Sequence, residues 1–140
     1  MTVTIRDMTV ADHAEALQLW ETTEGIGLGG ADSREGIAAY LERNPGLSLV
    51  ARHNERLIGT VLCGHDGRRG YLHHLAVVPR HRGQGLGRKL VAACLAKLAT
   101  LGIDKCHVWV YAQNQEGQEF WRRLGWRERD DLRIMSKETQ

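Results

Sequence analysis

Residues 75–91 read Leu75-Ala76-Val77-Val78-Pro79-Arg80-His81-Arg82-Gly83-Gln84-Gly85-Leu86-Gly87-Arg88-Lys89-Leu90-Val91. Upstream, Tyr71 to Val78 has strand character and is closed by Pro79. Downstream, Leu86, Leu90, Val91, Cys94, Leu95 and Leu98 recur at helical spacing. The alternating glycines Gly83, Gly85 and Gly87 therefore join a strand to the start of a helix. They remove the side chains that would keep a ligand off the backbone. The helix offers unpaired N–H groups and the positive end of its dipole. Such a turn suits phosphate, and Arg80, Arg82, Arg88 and Lys89 add positive charge around it. The segment reads as a pyrophosphate cradle.

Three phosphate motifs compete for it. A P-loop requires G-x-x-x-x-G-K-[ST], which fails because position 88 is Arg. The dinucleotide fingerprint G-x-G-x-x-G fits Gly83 and Gly85 and fails at the same arginine. Asp104, the one candidate for its ribose-binding acid, precedes the next strand instead of following it. The third motif, R/Q-x-x-G-x-G/A, is filled completely by Arg82, Gly85 and Gly87.

With that motif, and with Leu75-Ala76-Val77-Val78-Pro79 in front of it, the segment resembles the central motif of the GCN5-related N-acetyltransferases, the GNAT family. A second pattern of that family lies downstream: Asn114, Gly117, Trp121 and Leu124-Gly125-Trp126 fill it in register. The resemblance covers residues 47–129 and, more loosely, the whole chain. It implies a co-substrate, acetyl-CoA. Its pyrophosphate would be held by Arg82, Gly83, Gln84, Gly85, Leu86, Gly87 and Arg88. Its pantetheine arm would pair with the backbone of Leu75, Ala76 and Val77, between strands that splay apart. Asn114 and Trp121 would add contacts to the coenzyme. The implied activity is transfer of acetyl directly to an amine of a small molecule or protein; the alternative is an acetyl-CoA-binding module with weak or no catalysis. One departure bears on this choice. The family most often has Tyr at position 121, where it protonates the departing thiolate, and an indole N–H is no practical acid. Either the thiolate leaves with a proton from water, or Tyr111 or Tyr71 substitutes, or the protein binds the coenzyme and catalyses poorly.

Working outward, Thr2 to Arg6 alternates like a first strand, and Thr9 with Asp12 resembles a capping box opening a helix whose inner face carries Ala16, Leu17 and Trp20. Residues 24–32, EGIGLGGAD, hold four glycines and read as a mobile loop. A second helix over Ser33–Arg43 is stopped by Asn44-Pro45-Gly46. Strands follow over Leu47–Arg52, Leu57–Cys63 and Tyr71–Val78, with turns at Asn54-Glu55 and His65-Asp66-Gly67. After the long helix come a strand from Lys105 to Tyr111, a helix from Asn114 to Leu124, and a closing hairpin of Trp126–Arg129 and Leu132–Ser136. The strand–helix–strand stretch over 71–111 is a crossover, which makes its two strands parallel. The expected class is α+β: a GNAT-like mixed, mostly antiparallel sheet with one parallel central strand pair, flanked by about four helices, in a single domain over 1–140.

Bulk properties agree with an ordinary globular chain: 140 residues, 42% hydrophobic, 26% charged, net charge +2. The acidic residues nearly balance the basic ones and no aromatic platform accompanies the arginines, so nucleic acid is not an expected partner. Cys63, Cys94 and Cys106 lie in apolar runs and read as core thiols; no His or Cys spacing suggests a metal. No apolar run of membrane length and no signal-peptide pattern occurs, and the chain reads as cytoplasmic. Members of the family are often dimers, which leaves a homodimer open.

Acetyl transfer needs a neutral amine, donors on the thioester carbonyl and a destination for the amine proton. His73 and His74 sit at the expected splay and titrate in the useful range. A regular strand would point them to opposite faces; His73, in register with Leu75 and Val77, is favoured as base, although a bulge would reverse this. Glu24, with Glu21, ends the first helix beside the glycine loop and is a second candidate, for binding a cationic amine or acting through water. Tyr111 is the candidate acid. Trp20, Trp109 and Trp126 read as core.

Overall fold

In the computed structural model, which describes residues 2–140, the chain divides into two compact units, Met1–Trp109 and Val110–Gln140. The first contains β1 (Thr4–Asp7), α1 (His13–Glu21), α2 (Arg34–Arg43), β2 (Leu49–His53), β3 (Arg56–His65), β4 (Gly70–Val77), α3 (Leu86–Thr100) and β5 (Cys106–Val108); the second contains α4 (Gln115–Arg123). The sheet runs β1-β2-β3-β4-β5. Its first four strands are antiparallel and β4–β5 are parallel across the α3 crossover. This is the mixed α+β arrangement anticipated from the sequence.

Local chemistry explains the elements. Asn54 and Glu55 both take positive φ (50° and 66°), as a two-residue hairpin turn requires, so β2 and β3 pair tightly. Ser33 caps α2 by accepting from the Gly36 N–H at 3.0 Å. On one face of the sheet, Ala16, Leu19, Trp20 and Ile37 bury against Val50, Leu62 and Ala76. On the other, α3 buries Leu86, Leu90, Val91, Cys94 and Leu98. It sits close at Gly70, where a Cβ would lie 2.6 Å from Leu98 Cδ1.

Asp12 does more than cap a helix. Its carboxylate accepts from the Thr9 N–H at 2.9 Å, from Arg6 at 2.8 Å and from Arg52 at 2.6 Å. Burial pushes the carboxyl pKa up, but these donors outweigh burial and hold it at about 2.

In the second unit, α4 is capped at both ends by the residues of the downstream pattern. The Asn114 side chain accepts from the Gly117 N–H at 2.9 Å. A Cβ at position 117 would lie 2.5 Å from Asn114 Nδ2, which is why glycine stands three residues after the cap. At the other end Gly125 takes φ 91°. Its N–H donates to Arg122 O at 2.9 Å, and the Trp126 N–H donates to Trp121 O at 3.0 Å. The Trp126 ring packs on Trp121 with centroids 4.8 Å apart. These are the bonds and the apolar contact of a Schellman motif.

The anticipated closing hairpin does not form: residues 126–140 contain no strand. Trp126 is committed to the helix cap, Arg129 and Asp131 pair locally at 2.9 Å, and Leu132 and Ile134 stay exposed. Two apolar residues on a charge-rich stretch bury too little to order a strand pair. β5 is also shorter than the expected 105–111 and is the edge of the sheet.

Candidate coenzyme and acceptor site

The glycine turn has the backbone of an anion nest. Gly83 and Gly85 take φ 76° and 82°, and Gln84 between them does not share that conformation. The N–H groups of Gly83, Gln84 and Gly85 donate to no described residue. Leu86, Gly87 and Arg88 form the first turn of α3, whose N–H groups have no intrahelical partner. That turn has no acidic residue and instead carries Arg88 and Lys89, charges that run against the helix dipole unless an anion sits there. Arg82 anchors the turn to the sheet: its Nε donates to Val77 O at 2.7 Å. The first residue of the R-x-x-G-x-G signature thus fixes the nest to the end of β4.

The edge of β4 leading to this nest is open. β4 and β5 pair at Gly70/Cys106, Tyr71/His107 and Leu72/Val108, and no further. His73 to Val77 therefore have no partner on the β5 side, which leaves backbone groups free for an extended ligand. The residues of the turn and of this edge fit the phosphate and the pantetheine of a coenzyme A thioester.

A bulge interrupts β4 beside this edge. Leu62 pairs with His73 and Thr60 with Ala76, so one residue, Val61, faces both His74 and Leu75. His74 has φ 50°. Its carbonyl accepts from the Thr60 hydroxyl at 2.8 Å, and the Thr60 oxygen accepts from Trp20 Nε1–H at 2.9 Å. The bulge changes the expected register. His73 is in phase with Ala76, not with Leu75 and Val77. Both histidines face the α1/α2 layer: His73 lies edge-on to Tyr40 at 6.4 Å, and His74 packs on Trp20 at 4.7 Å. Burial, reinforced by the charge of His74, pushes the His73 pKa down.

His74 has a partner that the sequence reading missed. Its Nε2–H donates to Asp32 Oδ1 at 2.7 Å. The other Asp32 oxygen accepts from the Gly29 N–H at 2.9 Å, and His13 Nε2–H donates to the Asp32 carbonyl at 2.8 Å. Two histidines thus tie down the end of the glycine-rich segment that was expected to be mobile. Asp32 gives no signal in sequence, because it is 42 residues from His74.

The remaining candidates belong to other segments than β4 and the glycine turn. Glu24 is exposed just beyond α1. Tyr111 is 57% exposed in the second unit, where its carbonyl accepts from Gln118 Nε2 at 3.1 Å. Asn114 and Trp121 have the capping roles given above, with Trp121 also edge-on to Phe120. Trp20 is buried as expected, but Trp109 is 60% exposed. Cys63 and Cys94 are buried thiols and Cys106 is half-buried. Among the described residues no group of three or more His, Cys, Asp or Glu is placed to hold a metal, and no helix is long and apolar enough to cross a membrane.

Comparison with known proteins agrees with this geometry. The profile of the acetyltransferase (GNAT) family matches residues 13–126. An acetyltransferase of Yersinia pestis is 29% identical over 130 residues, covering 93% of this chain and 92% of its own. The crystal structure of a PaiA N-acetyltransferase from Thermoplasma acidophilum, solved in complex with coenzyme A, superposes with a TM-score of 0.76 at 21% identity, over 88% of each chain. Ard1 from Thermoplasma volcanium superposes with a TM-score of 0.78 at 18% identity, over 89% of this chain and 82% of its own.

Proposed function

We propose, from the premise that this chain belongs to the acetyltransferase (GNAT) family, that it passes the acetyl group of acetyl-coenzyme A directly to an amine of a small molecule or peptide. Acetyl-coenzyme A is the co-substrate, and the chain is an acetyl-CoA-dependent N-acetyltransferase. The observation that supports direct transfer is the open β4 edge. It runs from the glycine nest to two histidines that face the α1/α2 layer. The family profile spans parts of both compact units, which supports reading residues 1–140 as one acetyltransferase domain.

In this reading the backbone N–H groups of Gly83 to Arg88 hold the pyrophosphate, and the free edge at Leu75, Ala76 and Val77 pairs with the pantetheine. A β4 edge N–H donates to the thioester oxygen as charge develops there. The amine lone pair attacks the carbonyl carbon; the N–C bond forms, the C–S bond breaks and the thiolate leaves with its electron pair. His73 takes the amine proton. Burial favours its neutral imidazole, and no hydrogen bond from a described residue occupies either ring nitrogen. Glu24 draws in a cationic amine, which gives its extra proton to water before it attacks. The thiolate takes its proton from water or from Tyr111. By resemblance, Asn114 and Trp121 also serve coenzyme binding.

The test is a panel of amines and N-terminal peptides incubated with acetyl-coenzyme A, read by thiol release and by the mass of the product. An acetylated amine whose formation collapses in His73→Gln is the expected result. Coenzyme binding without any acetylated product across the panel would overturn direct transfer.

A further inference from the structure

Trp109 does not behave as the core residue its sequence context suggested. It is 60% exposed, yet its ring is held in place. It lies 5.4 Å from the His73 ring at 61° and 5.8 Å from Tyr71 at 52°. His107 supports Tyr71 at 5.7 Å, and Tyr40 of α2 supports His73 at 6.4 Å. The exposed indole is therefore the outer ring of an ordered aromatic array.

Its position is specific. Leu72/Val108 is the last pair between β4 and β5, and the next residues are His73 and Trp109. The array stands where the strands part, on the side of α1 and α2, and His73 belongs to it. From the reading of this edge as the place of acetyl transfer, we propose that Trp109, Tyr71 and His73 form a shelf for the acceptor. The acceptor class is an amine carried on an aromatic or heteroaromatic ring. Such a ring stacks on the exposed indole with edge contacts from the other two, and its amine-bearing chain reaches toward His73. A bare aliphatic polyamine fits less well. The carboxylate whose charge acts on His73 is Asp32, and both its oxygens already accept hydrogen bonds, from His74 and from the Gly29 N–H.

The test compares tryptamine with putrescine as acceptors, in the wild type and in Trp109→Ala and Trp109→Phe. Trp109 is exposed, so neither variant disturbs the core. The expected result is a kcat/KM for tryptamine about tenfold or more above that for putrescine. Trp109→Ala should raise the tryptamine KM about tenfold with little change in kcat, Trp109→Phe should restore most of it, and neither should alter acetyl-coenzyme A affinity. Tryptamine binding to the protein saturated with coenzyme A, followed by calorimetry, separates this proposal from the transfer reading. If no amine of the panel is acetylated, tryptamine that still binds through Trp109 upholds the shelf while the transfer reading falls. Putrescine acetylated as well as tryptamine, or a tryptamine KM indifferent to Trp109→Ala, overturns the shelf.

Discussion

Replacing Gly85 with Asp separates the fold of the glycine turn from its use. Gly85 takes φ 82°, and a Cβ built there meets nothing within 4 Å. The substitution therefore brings no clash, only the cost of a left-handed conformation for a residue with a side chain, about 1–2 kcal/mol. Position 85 is also the N-cap of α3, a helix with no acidic residue in its first turn. The left-handed backbone keeps an aspartate side chain there out of capping geometry, but its charge meets the helix dipole favourably, returning about 0.3–1 kcal/mol. The folded state should lose at most about 1.7 kcal/mol net. Binding should suffer far more. A carboxylate about 4 Å from a phosphate charge costs about 1 kcal/mol in water and about 4 kcal/mol at an effective dielectric near 20. Against a pyrophosphate this means a loss of about tenfold or more in affinity. Gly85→Ala, which has the conformational cost without the charge, is the control. The assay is a calorimetric titration with acetyl-coenzyme A beside a denaturant melt of each variant. Near-wild-type affinity in Gly85→Asp would refute the assignment of this turn to the pyrophosphate.

Other predictions follow from single contacts. Asp12 titrates at about 2 in the fold against an ordinary 3.8. The stability this contributes, about 2 kcal/mol, is present above pH 4 and lost as pH falls from about 4 to 2. Asp12→Asn should lower stability at pH 7 by a similar amount and flatten the acid limb of a stability–pH curve. Asn114→Ala should cost about 1 kcal/mol in denaturant unfolding through the lost cap. Gly117→Ala should cost about as much by displacing the same carboxamide, yet become neutral or stabilising in the Asn114→Ala background, because alanine is the better helix former by about 1 kcal/mol; additive effects would contradict the contact. Thr60→Val should cost about 2–3 kcal/mol by stranding Trp20 Nε1–H and the His74 carbonyl in a buried site. In the pH–rate profile, the limb assigned to His73 should fall at a pH below the ordinary histidine range, and His73→Gln should remove it.

The elements that sequence made legible are those specified within a few residues of themselves. The strand periodicity of 57–63 and 71–78, the helix beginning at Ser33 and the helical spacing from Leu86 to Leu98 all survive in the structure. The glycine turn was legible for the same reason: the left-handed backbone at Gly83 and Gly85 strongly favours glycine, so the residue type itself marks the turn. What escaped depends on residues distant in the chain. The bulge at His74 places a non-glycine residue at positive φ, and it is held by Thr60 and Trp20, partners with no local signature. The register of His73 followed that bulge. The Asp32–His74 contact and the Arg52–Asp12 pair are equally non-local, although the Thr9–Asp12 half of the network was visible. The tail forms no hairpin because Leu132 and Ile134 stay exposed and bury no surface that would order a strand pair. The Asn114-to-Trp126 pattern, which resemblance ties to the coenzyme through Asn114 and Trp121, also caps α4 at both ends, a role set by contacts within a few residues.

The measurement that bears most directly on the central claim is a calorimetric titration of the intact protein with acetyl-coenzyme A, with NAD and ATP titrated in parallel. Saturable binding of acetyl-coenzyme A at about one per chain, with weak or no binding of NAD and ATP, is the predicted result. Absence of acetyl-coenzyme A binding, or equal binding of all three, would contradict the account of the glycine turn and the open β4 edge on which the acetyltransferase mechanism rests.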